Sequence, residues 1–357
     1  TLVGRAGGPR GLLACLAGEP LSAADLKPIP RDATIAMAAR ADASAIYESI
    51  LSMVEKVEPG AHEEMLQGIG EAEEFLGFSL RNDVFKAIGD VWCIYNSPGE
   101  GGLVFTGLTA VVPVKNHEVL SAVHEKLLAL ARAEIARIEA RTLDMTRMNS
   151  YSPRPAPRIE QLEYAGQQIY FLNMRDGEVP FAPAWCLTEK ELIVALFPQN
   201  VKAYLSRDAE AGSIAEVPEV AELLAGDNGP LALSYIDTPK LFELIYPFVP
   251  MIGQVIASEL QREGIDVDVS ILPSAKAIGK HLRPSVTVVR RNEAGIEMVS
   301  HQTLPGGSLM MGSPMMVLPW MLFASRAVYD TPMMVDEDIP AERYDAVDEP
   351  LAAPLPR

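Results

Sequence analysis

Five histidines are the first residues of this chain that could do chemistry, because histidine titrates near neutral pH and binds metals. They are His62, His117, His124, His281 and His301. The spacing of His117 and His124 places them about two helical turns apart on one face, which is too far for both to bind one metal ion. Neither is accompanied by a partner that would make an acid–base pair. We therefore predict surface or half-buried histidines, and neither a metal site nor a catalytic site.

Cysteine is the other reactive residue type, and the chain has three: Cys15, Cys93 and Cys186. No pair shows the C-x-x-C spacing of zinc or thioredoxin-type sites. Cys93 in "VWCIY" and Cys186 in "AWCLT" each follow a tryptophan in a strand-like apolar run. We predict two buried strand thiols. A disulfide between them is the alternative, and it requires their strands to be neighbours.

The segment around Cys15, "GLLACLAGEP", resembles the lipobox at which bacterial lipoproteins are cleaved and acylated. Leu12 occupies the −3 position and Ala14 the −1 position, and small and acidic residues follow the cysteine. The preceding "TLVGRAGGPR" lacks the longer apolar stretch of a complete export signal. Cys15 is therefore a candidate for lipid attachment, and we expect the chain to be exported.

Familiar catalytic and nucleotide-binding motifs are absent from the sequence. The chain has no P-loop, no dinucleotide-binding glycine pattern, no H-E-x-x-H, no G-x-S-x-G and no EF-hand loop. One predicted helix carries a cluster of glutamates, for which a solvated helix face is the simpler interpretation. These are Glu63, Glu64, Glu71, Glu73 and Glu74. We predict no catalytic residue, cofactor or metal, and a hydrolase of unrecognised type stays open as an alternative.

The composition disfavours two classes of partner. Lys and Arg number 30 and Asp and Glu number 48 among 357 residues, so the formal net charge is −18. Such a surface repels the phosphates of nucleic acids and of anionic membranes. Hydrophobic residues make up 48% of the chain, which is enough for a large core. No apolar run reaches the roughly 18 residues of a spanning helix, so no transmembrane span is expected in this chain.

Composition and periodicity divide the chain into three parts. Residues 1–27 are rich in Gly, Ala and Pro, which indicates a leader remnant or a linker. Residues 28–305 mix strand and helix patterns, which predicts an α+β domain of antiparallel sheets packed against helices. Its strand-rich middle, 158–228, contains "EYAGQQIYFLN", "APAWCLTEK" and "ELIVALFP", which we interpret as three strands. Residues 306–357 hold an apolar Met-rich segment and an acidic, Pro-rich tail.

The string "KAIG" occurs twice, at 86–89 and at 276–279. Each copy follows a buried strand, an aspartate at a helix entrance and an apolar helical region, and each precedes a hairpin. We therefore predict a duplicated strand-helix-helix-hairpin unit, with copies over about 33–112 and 230–305. Gly89 and Gly279 would then end equivalent helices in the left-handed conformation. Replacement of either by Ala would cost on the order of 1 kcal/mol.

Two apolar stretches invite interpretations beyond a simple core. "LFELIYPFVPMIGQVIA" is apolar on nearly all sides and contains Pro247 and Pro250, which predicts either a core helix or a wall of a groove for an apolar ligand. The Met-rich segment 308–328 suits docking of a partner, because methionine surfaces are adaptable. An extended segment buried along its own domain is the alternative. The candidate docking residues are Met310, Met311, Met315, Met316, Leu318, Trp320, Met321 and Phe323.

Three segments resemble a known family: "LGFSLRNDVFKAIGDVWCIYNSPGEGG", "APAWCLTEKELIVALFPQNVKAYLSR" and "KHLRPSVTVVRRNEAGIEMVSHQTLPG". They are similar to uncharacterised exported proteins, common in planctomycete-type bacteria, that carry a domain of unknown function. The resemblance covers roughly 28–305. It implies an α+β fold and export to the periplasm or cell envelope, and it assigns no catalytic or binding residue.

The sequence therefore favours a non-enzymatic protein of the periplasm or cell envelope that acts in protein binding, assembly or self-association. A carrier of a lipid or another apolar ligand is the first alternative. The first interpretation rests on the absent catalytic motifs, the repeated order of elements and the Met-rich segment. The alternative rests on the apolar helical stretch around Pro247 and Pro250.

Overall fold

The computed structural model describes most of the chain up to residue 302. The described residues are 2–5, 18–102, 106–148, 155–175, 181–208, 210–225, 229–262, 268, 271–292 and 295–302. Cys15 and the eight candidate docking residues between Met310 and Phe323 lie outside this set. Lipid attachment and docking by the Met-rich segment therefore stay predictions.

Eleven strands among the described residues form one sheet, in which every neighbouring pair is antiparallel. They are β1 (Leu2–Arg5), β2 (Ile35–Arg40), β3 (Val91–Asn96), β4 (Thr109–Pro113), β5 (Arg158–Tyr164), β6 (Gln167–Asn173), β7 (Ala184–Leu187), β8 (Glu191–Ala195), β9 (Ala232–Ile236), β10 (Ser285–Asn292) and β11 (Gly295–His301). Their order across the sheet is β1-β11-β10-β9-β2-β3-β4-β8-β7-β6-β5.

The helices lie in the connections between these strands. They are α1 (Ala43–Val57), α2 (Pro59–Leu76), α3 (His117–Met148), α4 (Pro198–Leu205), α5 (Pro218–Leu224), α6 (Thr238–Ile245), α7 (Phe248–Arg262) and α8 (Ala275–Gly279). A π-helical turn (Leu80–Phe85) and two 3₁₀ turns (Pro98–Glu100 and Ile214–Glu216) complete the described helical segments. The predicted α+β class is confirmed, with a single sheet.

One predicted strand is instead two strands. "EYAGQQIYFLN" contains the end of β5, a two-residue turn and all of β6. Ala165 and Gly166 form the turn, with φ values of 52° and 73°. Positive φ at both positions is the pattern of a type I′ hairpin turn, and Ala rarely adopts it. The usual Asn-Gly or Asp-Gly signal is therefore missing, and the sequence pattern concealed the turn.

A row of buried side chains runs across eight strands on one face of the sheet, which we call the inner face. Each residue of this row lies directly opposite the next, and all belong to one hydrophobic core. The row is Val288, Leu233, Ala38, Cys93, Val111, Ile193, Cys186 and Ile169. Leu26 and Ile29 of the segment before β2, Val201 of α4 and Val220 of α5 belong to the same core. These elements therefore cover the inner face.

The two strand cysteines are free and buried, as predicted. Cys93 lies on β3 and Cys186 on β7, and β4 and β8 separate these strands. The alternative of a disulfide is therefore wrong, because bonded cysteines must lie on adjacent backbone segments. Burial, reinforced by the charges of Asp25 and Glu191, raises the pKa of Cys93 to about 12. Burial raises that of Cys186 to about 11.

The two halves of the chain share an arrangement around the central β2–β9 pair. β2 leads through α1 and α2 to β3, which lies beside it, and β9 leads through α6, α7 and α8 to β10, which lies beside it. Asp42 and Asp237 accept hydrogen bonds from backbone N–H groups at the starts of α1 and α6. Ser79 and Ser274 do the same for the π-helical turn and α8. Both equivalent pairs are 195 positions apart.

The two "KAIG" glycines do not fit this arrangement, and the prediction that they are equivalent left-handed helix stops is wrong. They are 190 positions apart, five fewer than the capping residues. Gly279 is the last residue of α8, whereas Gly89 follows an isolated bridge between Ile88 and Val114. Neither has a positive φ. The left-handed helix stops among the described residues are Gly77 after α2 and Gly101 after the 3₁₀ turn Pro98–Glu100. The repeated string is therefore a coincidence of sequence.

The structure predicts opposite effects for alanine at these glycines. A Cβ at Gly89 would lie 2.7 Å from Cβ of Pro113, while the nearest atom at Gly279 is Oε1 of Glu243 at 4.0 Å. Gly89→Ala should therefore destabilise by roughly 1–3 kcal/mol, through a clash in a packed region. Gly279→Ala should be neutral or stabilise by up to roughly 1 kcal/mol, because Ala favours helices over Gly. Urea denaturation measures the free energy of unfolding of both variants. Equal losses of stability would contradict the different surroundings assigned to Gly89 and Gly279.

Candidate functional site

The outer face of the sheet carries an apolar row that is open to solvent at its centre. Met37, Ile94, Ala110, Val194, Trp185 and Tyr170 lie directly opposite one another across β2, β3, β4, β8, β7 and β6. Residues paired in this way point to the same face. Met37 is 38% exposed, and Ile94 and Val194 are each 42% exposed. Trp92 lies two residues before Ile94 on β3, on the same face of the sheet, and is 37% exposed. We call Met37, Ile94, Val194 and Trp92 the open patch.

Helix α3 covers the outer face beyond the open patch. Nε1 of Trp185 donates a hydrogen bond to Nε2 of His124 at 2.8 Å. The His124 ring meets Tyr170 edge-on, and Tyr170 stacks on Trp185. Leu120 of α3 packs with Val112 of β4. The aromatic half of the row is therefore partnered within the chain, and Met37, Ile94 and Val194 are its exposed remainder.

His124 thus has a structural role in this packing. Burial lowers its pKa, and nearby Arg132 acts in the same direction against Glu125. The neutral ring accepts the Trp185 hydrogen bond through Nε2. The other four histidines are exposed or half-buried, so the prediction of surface or half-buried histidines is confirmed. Within the described ranges, no group of three or more His, Cys, Asp or Glu side chains could hold a metal ion.

Helices α6 and α7 form a second apolar surface. Their stretch was expected to be core or a groove wall, and several of its large side chains are exposed. These are Ile245, Phe248, Val249, Met251 and Ile256. Among the described residues, no single helix has the length and apolar character needed to cross a membrane. Taken together, α6 and α7 meet those criteria, but they are bent by 42°.

A buried polar network surrounds Arg207, which follows α4. It lies beneath the segments that cover the inner face. Nε of Arg207 donates to Oε1 of Glu100 at 2.8 Å, and its terminal nitrogens donate to the Tyr95 hydroxyl at 2.8 Å and the Pro28 carbonyl at 2.6 Å. Tyr95 in turn donates to Oε2 of Glu100 at 2.7 Å. Burial alone would lower the pKa of Arg207, and Tyr95 and Glu100 together raise it. The guanidinium therefore stays charged and ties α4 to the segment before β2.

A cleft of about 390 Å³ opens beside this network. Its floor is one end of the inner face. Its walls come from the segment before β2, from Glu191 at the start of β8, and from α4 with the turn after it. The lining residues that bear polar groups are Asp25, Lys27, Cys93, Glu191, Tyr204, Arg207 and Asp208. Cys93 is a protonated thiol at neutral pH, because its pKa is about 12. The reactive form of cysteine is the thiolate, so this residue is a poor nucleophile.

Neither the open patch nor the cleft was predicted as a site from the sequence. The patch residues carry an ordinary alternating strand pattern, which does not reveal which face is covered. The cleft joins residues from 24 to 211, and no motif links them. One signal in the sequence is "VWCIY" in β3, which is apolar on both faces. A strand with one solvated face instead alternates apolar and polar residues, so this run indicates an apolar outer face.

Removal of Arg207 should destabilise the chain strongly. Arg207→Met leaves Glu100, which is 9% exposed, as a buried charge without its cation. Breaking a buried pair in this way costs roughly 3–5 kcal/mol. The matched double variant Arg207→Met with Glu100→Gln removes both charges and should recover a large part of the loss. Thermal and urea denaturation measure this, and equal losses for the single and double variants would contradict it.

Comparison with known proteins adds no relative: no family model, no curated protein and no solved structure matches this chain.

Proposed function

We propose that this chain is a non-enzymatic binding protein of the cell envelope that docks another protein on the open patch. The observation that carries the proposal is the uncovered apolar centre of the outer face, where Met37, Ile94 and Val194 remain about two-fifths exposed. An antiparallel sheet with one solvated face normally presents polar side chains there. A contiguous apolar patch on a soluble surface marks an interaction site.

Covering the open patch would contribute a substantial free energy of binding. Complete burial of an aliphatic side chain of this size contributes roughly 1.5–3 kcal/mol, so covering what is still exposed contributes on the order of 1 kcal/mol for each residue. Several such residues side by side give the apolar centre of an interface, and the flanking polar side chains give its rim. Thr287 and Ser300 form such a polar margin on β10 and β11, where their hydroxyls are hydrogen-bonded at 2.8 Å.

The charge of the chain favours a partner that is neutral or basic. A formal net charge of −18 makes two copies repel each other at low salt. Self-association through the patch would have to overcome this repulsion. A basic protein would instead be attracted, and its association would be faster at low ionic strength.

A carrier of an apolar ligand is the second candidate function. It is favoured by the exposed side chains of α6 and α7, among them Phe248 and Met251. This pair is bent and apolar enough to embed in a lipid surface or to cover an acyl chain.

We also propose that the scaffold is an internal duplication, in which the second unit follows the first at a distance of 195 residues. The common order of elements around β2 and β9 and the equivalent capping side chains support it. The registers agree as well, since Ala38 and Leu233, which face each other at the centre of the pair, are also 195 positions apart.

Equivalent caps should contribute equally to stability. Asp42→Ala and Asp237→Ala should each lower the free energy of unfolding by about 1 kcal/mol, because each removes the acceptor at a helix N-terminus. Glu64→Ala, on the exposed face of α2, is the control for the loss of one negative charge and should change little. Urea denaturation compares the three variants. A loss at only one of the two aspartates would argue against equivalent roles.

Export to the periplasm or cell envelope, and membership of the exported family described above, are further proposals. The sequence context of Cys15 and the three similar segments support them. Neither proposal contributes to the argument for the open patch, which rests on burial and strand register alone.

Site-specific photo-crosslinking tests the docking proposal. The full chain carries p-benzoylphenylalanine at position 94 in the patch, or at position 57 or 249 as comparisons, and it is irradiated in the envelope fraction of its source cells. Val57 is 80% exposed on α1 and controls for general apolar exposure. Val249 reports on α7.

The docking proposal expects a discrete protein adduct from position 94 and none from position 57. The double variant Met37→Thr with Val194→Thr, which keeps strand-forming residues, should abolish that adduct without changing the thermal midpoint by more than a few degrees. A lipid adduct from position 249 without a protein adduct from position 94 would favour the carrier. An absence of any adduct from position 94 would overturn docking on the patch.

A further inference from the structure

The cleft beside Arg207 has an apolar floor, built from the inner face where the cover ends. Val91, Cys93 and Val111 are among its lining residues, and all three side chains are buried. Pro28 and Pro113 line it as well. Its volume of about 390 Å³ falls in the range of small-molecule pockets, roughly 300–1,000 Å³. The cleft therefore has the size and the apolar surface to hold a short hydrocarbon chain.

One carboxylate in the cleft has no cationic partner among the described residues. Oε2 of Glu191 accepts a hydrogen bond from the Tyr204 hydroxyl at 2.7 Å, and Glu191 is half-buried. Among the described residues, no Lys or Arg nitrogen forms an ion pair with it. Asp25, the neighbouring carboxylate, is already paired with Arg40 at 2.8 Å.

The other charged groups that line the cleft do not neutralise Glu191. Arg207 directs its donors to Glu100, Tyr95 and Pro28. Lys27 and Asp208 are exposed, so solvent screens both. The charge of Glu191 reaches the floor of the cleft, because together with Asp25 it raises the pKa of Cys93 beyond the effect of burial.

We infer that this cleft binds a small aliphatic amine as its ammonium ion. Glu191 takes the ammonium group in a charge-assisted hydrogen bond, and the Tyr204 hydroxyl holds the carboxylate in place from its other side. The alkyl stem lies on Val91, Cys93 and Val111. A neutral ligand of the same shape lacks the charge that the half-buried carboxylate needs, so the site should reject it.

This inference is independent of docking on the open patch, because the cleft belongs to the inner face and the patch to the outer face. Neither requires the other. A failure of one experiment therefore leaves the other proposal standing.

Isothermal titration calorimetry of the full chain with n-pentylammonium chloride tests the inference, with n-pentanol as the matched neutral probe. Pentylammonium should bind saturably with one site, and pentanol at least roughly tenfold more weakly, because hydrogen bonds to charged groups exceed neutral ones by about that factor. Equal affinities would reduce the cleft to an apolar cavity and overturn the role of Glu191. An absence of saturable binding would overturn the site itself.

Variants locate the binding. Glu191→Gln should lower the affinity for pentylammonium at least roughly tenfold. The matched control is Glu189→Gln, because Glu189 lies in the exposed turn before β8 and does not line the cleft. Equal losses in both variants would show a nonspecific effect of net charge and overturn the assignment. If Glu191→Gln does not fold, the comparison of pentylammonium with pentanol on the unaltered chain still tests whether the cleft selects a cationic ligand.

Discussion

The pairing of β2 with β9 is the constraint on which the rest of the structure depends. It places Ala38 opposite Leu233 and thereby joins the two halves of the chain into one continuous ladder. Because side chains alternate along every strand, this register decides at once which residues face inward and which face outward. Cys93 enters the core because it pairs with Ala38, and Ile94 faces outward because it pairs with Met37. A slip of one residue would exchange these two sets.

The unequal covering of the two faces produces both candidate binding features. The segment before β2, together with α4 and α5, packs on the inner face, and the buried ion pair of Arg207 and Glu100 fastens this cover at its edge. The cleft is the place where that cover stops short of the ends of β3 and β4. On the outer face, α3 packs against Trp185, and Ile94 and Val194 at the centre of the sheet stay 42% exposed.

The two features differ in the physics of what they would bind. The open patch offers apolar area without directional contacts, so its affinity depends on shape and on the area buried. The cleft offers a carboxylate over an apolar floor, so the proposed site would discriminate between ligands by charge. We propose both as binding surfaces. The thiols of Cys93 and Cys186 stay protonated at neutral pH, because burial raises their pKa values.

The sequence by itself determined the features that depend on neighbours along the chain. The α+β class, the buried thiols and the aspartates at the entrances of α1 and α6 follow from alternation and capping, which act within a few residues. Only the tertiary structure decided the roles that depend on contacts between distant segments. Position 89 has room only for glycine, because Pro113 lies against it. Gly279 has open space around it, although both glycines end a "KAIG" string. Ile94 is exposed because no described helix covers it completely. Glu191 has no cationic partner among the described residues, and the nearby Arg207 turns to Glu100. These outcomes are set by packing between elements far apart in sequence, which no local pattern encodes.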